Sequence, residues 1–193
     1  MPNLVVLFGP PASGKAAVGS ELAALTGYRF FHNHLTTDPA AALFGWGTER
    51  FSRAVDAMRE LLFTQAASDA SIPGVIFTFV WGLEIAEDTT LMGRIASLFA
   101  QSGGTVHFVE LRASLPARLA REGTSFRIGL KPELRDVEAA RSRQVEIDAK
   151  YRMNTQGPLP LAYPHLVIDT ECVDPTQAAH AIRTFLGKHG NGT

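Results

Sequence analysis

Two glycines and a lysine stand near the amino end of the chain at a fixed spacing, in the segment Gly9-Pro-Pro-Ala-Ser-Gly14-Lys15. Glycines let the backbone curl so that successive N–H groups converge on phosphate oxygens, and the lysine ammonium adds a mobile positive charge. A helix that begins here adds the positive end of its dipole. The spacing predicts a nucleotide phosphate site, against the alternative of a strand–turn–helix connection with an incidental lysine. The residues predicted to contact the nucleotide in this segment are Gly9, Pro10, Pro11, Ala12, Ser13, Gly14, Lys15, Ala16 and Ala17.

The residue after the lysine departs from the usual pattern. Ala16, with Ala17 after it, stands where a serine or threonine hydroxyl normally contacts Mg²⁺. Three consequences are open: other side chains and water hold the metal, the metal binds more weakly, or nucleotide binds without turnover. We favour the first, because Mg²⁺ usually keeps several waters.

A second group of polar residues follows the next predicted strand, in the run Phe-Phe-His-Asn-His-Leu-Thr-Thr-Asp at positions 30–38. Ligands gather at the carboxyl ends of parallel strands, so we expect His32, Asn33 and His34 to contact a phosphoryl acceptor. His34 is the candidate base or acceptor contact, and Asp38 assists with Mg²⁺ or the acceptor, or only begins a helix. The alternative is that the histidines are polar loop residues. No third ligand accompanies the two histidines, so no metal site is predicted here.

Three further residues are candidates for an acceptor pocket. Trp46 lies between two glycines and Trp81 follows the third predicted strand, so each is either a pocket wall or a core residue. Thr78 interrupts an apolar strand and either orients a metal-bound water or bonds locally.

Residues 112–152 differ in kind from the rest, because they hold 10 of the chain's 18 lysines and arginines. Arg118 and Arg121 are three residues apart and are predicted to share a helical face. Phosphoryl transfer needs positive donors around the moving group, so Arg118, Arg121 and Arg127 are candidates for that role. The alternative is that these charges are solvated or paired with nearby glutamates. We interpret the segment as a lid, with glycines at 123, 129 and 157 as flexible points.

Short apolar strands that alternate with amphipathic helices would position the candidate site residues named above. Strands are predicted at 4–8, 28–31, 75–80, 105–111 and 166–169, and helices after the glycine-rich segment as far as Gly27, at 36–44, at 48–70, at 84–101 and from Asp174 to near Gly187. This order indicates βαβ units and a parallel sheet, an α/β fold in one domain over residues 1–193.

The composition limits the function classes. Hydrophobic residues make up 46%, the formal net charge is −1, and there is one cysteine, Cys172. We expect a cytoplasmic protein without an internal disulfide, a membrane segment or a nucleic-acid surface, acting as a monomer or homodimer.

The glycine-rich segment, the strand pattern and the arginine-rich insertion resemble the P-loop small-molecule kinases of the shikimate, gluconate and adenylate kinase group. The run at 30–38 is also similar to an uncharacterised shikimate-kinase-like bacterial branch. The resemblance implies a three-layer α/β/α fold with a five-stranded parallel sheet, ATP over the loop, Mg²⁺, and an arginine-bearing lid. It implies that Arg118 lies against adenine and that other lid arginines meet the phosphates. His32 and His34 match two family aspartates, and Thr78 matches a family threonine.

These observations together predict an ATP-dependent kinase that transfers a phosphoryl group to a small-molecule acceptor, through a hydroxyl. Two alternatives are a nucleotide-binding protein without phosphotransfer, consistent with Ala16 and Ala17, and an interaction protein that has lost nucleotide binding.

Overall fold

Five parallel strands form the centre of the protein. The computed structural model describes residues 1–122 and 136–189. The strands are β1 (Asn3–Phe8), β2 (Arg29–His32), β3 (Gly74–Phe79), β4 (Val106–Arg112) and β5 (His165–Asp169). They lie in the order β2-β3-β1-β4-β5, and every neighbouring pair is parallel. The predicted five-stranded parallel sheet is confirmed.

Helices cover both faces of this sheet. They are α1 (Lys15–Thr26), α2 (His34–Phe44), α3 (Glu49–Ser68), α4 (Ala86–Gln101), α5 (Leu115–Ala120), α6 (Val137–Lys150) and α7 (Pro175–His189). Side chains of α3 and α4, such as Phe63 and Phe99, pack on one face in an aromatic core. Val18 of α1 and Ile182 of α7 pack on the other. The architecture is therefore the predicted three-layer α/β/α fold.

Local sequence signals set the ends of several helices, and the predicted bounds differ from the observed ones by one or two residues. Gly27 ends α1 in the left-handed conformation, with φ +72°. The Thr48 hydroxyl accepts the Phe51 N–H at 3.1 Å and so caps α3. Asp174 caps α7 in the same way, by accepting the Gln177 N–H at 2.8 Å.

The arginine-rich segment is described in part, as α5 and α6 with residues 123–135 outside the described ranges. Two side-chain pairs connect α6 to α5 and the turn after it: Arg118 with Asp148, and Gln144 with Glu122. None of the helices within residues 1–122 and 136–189 is long and apolar enough to cross a membrane.

Candidate nucleotide and acceptor site

The glycine-rich segment forms a tight curl between β1 and α1. Three of its residues have positive φ: Gly9 at +137°, Ala12 at +60° and Gly14 at +93°. A Cβ added to Gly9 would lie 2.2 Å from the carbonyl oxygen of Leu111 in β4, so only glycine fits there. The curl is therefore specified both by backbone conformation and by its contact with the neighbouring strand.

The curl encloses a lysine ammonium. Lys15 Nζ donates to the carbonyl oxygens of Gly9 at 2.7 Å and Pro10 at 2.6 Å. No side chain caps α1 at Gly14, so the first N–H groups of the helix have no side-chain acceptor. An ammonium and an uncapped helix end thus meet at one point, which is the chemistry of a polyanion site.

A cavity of about 450 Å³ opens between this curl and the carboxyl ends of β2, β3 and β5. The predicted site residues that line it are Pro11, Ala12, Gly14, Lys15, Ala16, Ala17, His32, Asn33, His34, Thr78 and Arg121. Ser13, which is part of the curl, is fully buried and is not among the residues that line the cavity. The structure therefore brings the predicted phosphate loop and the polar cluster after β2 to the same cavity.

The end of β2 forms the wall opposite the loop. The Asn33 N–H donates to the Thr78 hydroxyl at 3.1 Å, which ties the end of β2 to β3. His34 begins α2, and its Nδ1 lies 2.7 Å from the Asp38 carboxylate one turn later. The His32 and His34 ring centroids are 6.3 Å apart. When Nδ1 carries the proton, the Asp38 carboxylate accepts its hydrogen bond and fixes the orientation of the imidazole ring.

A buried arginine that the sequence reasoning missed lies behind this wall. Arg59 is 6% exposed and donates to the Asn33 side-chain oxygen. Its guanidinium carbon lies 5.5 Å from the ring centroid of Phe79. Burial lowers the pKa of Arg59, while nearby Asp56 and Asp88 act in the opposite direction. The sequence does indicate that Arg59 is buried, because it lies four residues from both Val55 and Phe63 on the buried face of α3.

Arg121 connects the loop to the end of β5. Its Nη1 donates to the Ala12 carbonyl and the Thr170 hydroxyl, both at 3.1 Å, and its Nη2 donates to the Thr170 carbonyl at 2.7 Å. The Thr170 hydroxyl in turn donates to the Ser13 carbonyl at 3.0 Å. The carbonyl oxygens of Ala12 and Ser13 are therefore held by Arg121, at the end of α5, and Thr170, at the end of β5. Thr170 is also absent from the sequence prediction.

Arg118 does not reach the cavity. It is 2% exposed, and its guanidinium donates to the Asp148 carboxylate and, at 3.1 Å, to the Ala113 carbonyl. In the described structure it joins α5 to α6, which differs from the adenine contact that the resemblance implied. Arg127 lies outside the described residues.

Neither predicted tryptophan lines the cavity. Trp81 is fully buried in the core, with its ring centroid 5.2 Å from that of Phe8 and its indole N–H donating to the Thr89 hydroxyl at 3.2 Å. Trp46 is 62% exposed and packs on Phe51. The prediction that they form pocket walls is corrected: Trp81 is a core residue, and Trp46 lies on the surface beyond the end of α2.

Metal ligands are sparse around the cavity. Residues 1–122 and 136–189 contain no group of three or more His, Cys, Asp or Glu side chains placed to hold a metal ion. Oxygen-bearing side chains among the lining residues are those of Asn33, Thr78, Thr170 and Asp174. This donor set fits Mg²⁺ that keeps most of its waters and takes its remaining ligands from phosphate.

No protein-family model and no curated protein sequence matches the chain. Solved structures do match it. A candidate kinase from Chloroflexus aurantiacus J-10-fl superposes with a TM-score of 0.62 at 22% identity, covering 97% of both chains. A gluconokinase from Sinorhizobium meliloti 1021 gives 0.58 at 17% identity, covering 100% of this chain and 98% of the other. The Mycobacterium tuberculosis APS kinase CysC, in complex with AMPPNP and APS, gives 0.59 at 14%, covering 96% and 98%. The chain therefore has the fold of the P-loop small-molecule kinases.

Proposed function

We propose that this protein is an ATP-dependent kinase that transfers the γ-phosphoryl group to a hydroxyl of a small-molecule acceptor. The observation that carries the proposal is one cavity with two chemically different walls. The loop wall presents an uncapped helix end and Lys15, and the other wall presents His34, whose Nδ1 lies 2.7 Å from the Asp38 carboxylate. The kinase fold of the structural neighbours supports the same conclusion.

Each wall has a distinct task in this reaction. The loop amides and Lys15 hold the phosphates, and Mg²⁺ supplies charge neutralisation when bound, with Thr78 and Asp174 as the side chains that would contact its waters. His34 Nδ1–H donates a hydrogen bond to the Asp38 carboxylate, which orients the ring so that Nε2 accepts the proton of the attacking hydroxyl. The hydroxyl oxygen forms the new bond to the γ-phosphorus, and the bond between that phosphorus and the bridging oxygen of ADP breaks.

Mg²⁺-dependent ADP formation tests the proposal with a panel of small alcohols, nucleosides, antibiotics and hydroxy acids, including D-gluconate and shikimate. We expect ATP to raise the unfolding temperature and at least one compound to accelerate ADP formation. Lys15→Ala should abolish the thermal effect of ATP. His34→Gln should abolish acceptor-dependent ADP formation while the thermal effect of ATP remains.

A second candidate function is nucleotide binding without phosphotransfer. The absence of a hydroxyl at both Ala16 and Ala17 supports it, because neither residue can be a direct metal ligand. ATP-induced stabilisation without acceleration by any compound of the panel would favour this candidate. An unchanged unfolding temperature with ATP would contradict both.

A further inference from the structure

Asn33 has its side-chain amide between a buried arginine and the cavity. Arg59 donates to its Oδ1, and Asn33 itself lines the cavity. A guanidinium has five N–H donors and no acceptor, so only the amide oxygen of Asn33 can face it. The amide cannot rotate so that Oδ1 and Nδ2 exchange places, because its NH₂ group would then face the N–H groups of Arg59.

Arg59 itself is not a cavity residue. It is 6% exposed and does not appear among the residues that line the cavity. The rings of Phe77 and Phe79 lie 6.0 and 5.5 Å from its guanidinium carbon. Two residues that line the cavity touch Arg59: Asn33, which accepts its hydrogen bond, and Phe79, whose ring packs against it. Asn33 is the polar one of the two and can pass a directional effect to a ligand.

The backbone of Asn33 is fixed as well. Its N–H donates to the Thr78 hydroxyl at 3.1 Å, and its carbonyl accepts the Thr36 hydroxyl at 3.0 Å. Both ends of the residue are thereby held, so the direction of the side chain is set before any ligand arrives. Pre-set hydrogen-bond donors cost little reorganisation when a ligand binds.

We propose that Arg59 is a positioning residue that fixes the Asn33 amide with Nδ2 directed to the cavity, so that Asn33 donates a hydrogen bond to an oxygen of the acceptor. The inference rests on the proposed function and adds a specificity element to it: the acceptor carries an oxygen with an available lone pair beside the hydroxyl that His34 deprotonates. Hydroxy acids have this arrangement, because a carboxylate oxygen accepts hydrogen bonds and cannot donate them. Simple monohydric alcohols lack it and should be poor acceptors.

Asn33→Asp is the decisive variant, because it is nearly isosteric with asparagine. It tests the role of the amide oxygen, which accepts from Arg59, separately from the role of the amide nitrogen, which donates to the ligand. The carboxylate still accepts from Arg59 and gains an ion pair, but it has lost the Nδ2 donor. We expect the unfolding temperature of Asn33→Asp to equal or exceed that of the wild type, and Asn33→Leu to unfold several degrees lower. If both variants lose stability equally, Arg59 does not bind the oxygen of this amide and the inference is overturned.

The Nδ2 signals of Asn33 report the ligand contact directly in a ¹H–¹⁵N NMR spectrum, where Asn33→Asp assigns them. The wild-type protein is saturated with Mg²⁺ and AMPPNP and titrated with the panel compounds, including D-gluconate and shikimate. We expect a hydroxy acid of the panel to shift these signals. If no compound shifts them, or if a compound that is phosphorylated leaves them unmoved, the inference is overturned. A compound that shifts them without being phosphorylated would contradict the proposed function alone.

Steady-state kinetics with the phosphorylated compound then separate positioning from structure. We expect Asn33→Asp to raise the acceptor KM at least about tenfold, the size of effect of a lost hydrogen bond, while ATP affinity stays within twofold. Arg59→Met should also raise KM in the wild-type background but add nothing in the Asn33→Asp background. Arg59→Lys keeps a donor to Oδ1 and should restore most of the loss. Independent, multiplicative effects of the Arg59 and Asn33 variants would overturn the positioning role.

Discussion

Replacing one buried glutamate should change how the stability of the protein depends on pH. Glu110 is fully buried in β4. Its carboxylate accepts hydrogen bonds from Arg112 Nε at 2.7 Å, from the Thr155 hydroxyl at 2.6 Å and from Asn154 Nδ2 at 3.0 Å, and His165 Nε2 lies 3.2 Å away. Thr155 and Asn154 belong to the connection between α6 and β5. The carboxylate therefore holds that connection onto the sheet.

The pKa of Glu110 gives the size of its contribution to the free energy of unfolding. Burial alone would raise this pKa, but the nearby His165 imidazole and the hydrogen bonds from Arg112 and Thr155 outweigh burial and lower it from 4.5 to about 2. The difference corresponds to about 3 kcal/mol of stability, at about 1.4 kcal/mol for each pH unit. Because the pKa is lower in the folded state, this stabilisation is fully present above pH 4.5 and is lost as the pH falls towards 2.

Urea unfolding of the wild type and Glu110→Gln at pH 7, 5, 4 and 3 measures this contribution. We expect the variant to be less stable by about 3 kcal/mol at pH 7, because the amide NH₂ group faces donors where the carboxylate accepted. Below pH 4.5 the two curves should converge by about 1.4 kcal/mol for each pH unit. Glu146→Gln, at an exposed position on α6, is the matched control and should follow the wild-type curve. Parallel curves for wild type and Glu110→Gln would refute the reasoning.

Three other substitutions test the site. Gly9→Ala should cost at least about 2 kcal/mol and abolish ATP-induced thermal stabilisation, because its Cβ would lie 2.2 Å from the Leu111 carbonyl oxygen; wild-type values in urea unfolding and in the thermal assay would contradict the clash. Thr170→Val keeps the side-chain shape but removes the hydroxyl that bonds Ser13 and Arg121, so ATP affinity measured by calorimetry should fall about tenfold; unchanged affinity would show that the loop does not need this support. Ala16→Ser supplies the missing hydroxyl and should lower the Mg²⁺ concentration for half-maximal ADP formation; an unchanged or higher Mg²⁺ requirement would show that the metal lies elsewhere.

The features that the sequence predicts well are the local ones. The phosphate loop needs only consecutive residues and the strand and helix that flank it, so residues 9–15 fold as their order indicates. The polar cluster after β2 is also one continuous run, and the parallel sheet brings it to the loop. In both cases the neighbours in space are neighbours in the chain or follow from the general geometry of parallel sheets.

What the sequence could not predict depends on packing between distant segments. Arg59 is 26 residues from the amide that it contacts, and Thr170 is 157 residues from Ser13. The two tryptophans show the same limit, because an aromatic side chain fits a core and a pocket wall equally well by type. Trp81 is buried because its ring packs against Phe8 of β1 and Phe108 of β4 and its indole N–H bonds Thr89 of α4.

The two arginines of α5 show how a correct periodicity can still mislead. Arg118 and Arg121 are three residues apart, and a long helix would place them on one face. Arg121 caps the helix with helical φ and ψ, so the two residues keep the predicted spacing. Arg121 nevertheless reaches the loop, while Arg118 binds Asp148 on α6. Their partners on other segments, not their spacing, separate their roles.

The charges around the cavity explain why the missing hydroxyl at Ala16 need not end metal-dependent chemistry. Among the described lining residues, Lys15 and Arg121 carry the positive side chains, and the guanidinium of Arg121 already donates to Ala12 and Thr170. The Lys15 ammonium must exchange two loop carbonyls for phosphate oxygens when a nucleotide binds. Under the proposed function, two cations with such prior partners would neutralise little of a triphosphate's charge, and a divalent cation would supply the rest. Phosphate oxygens and water would then be its chief ligands, and a serine at position 16 would strengthen its binding rather than create it.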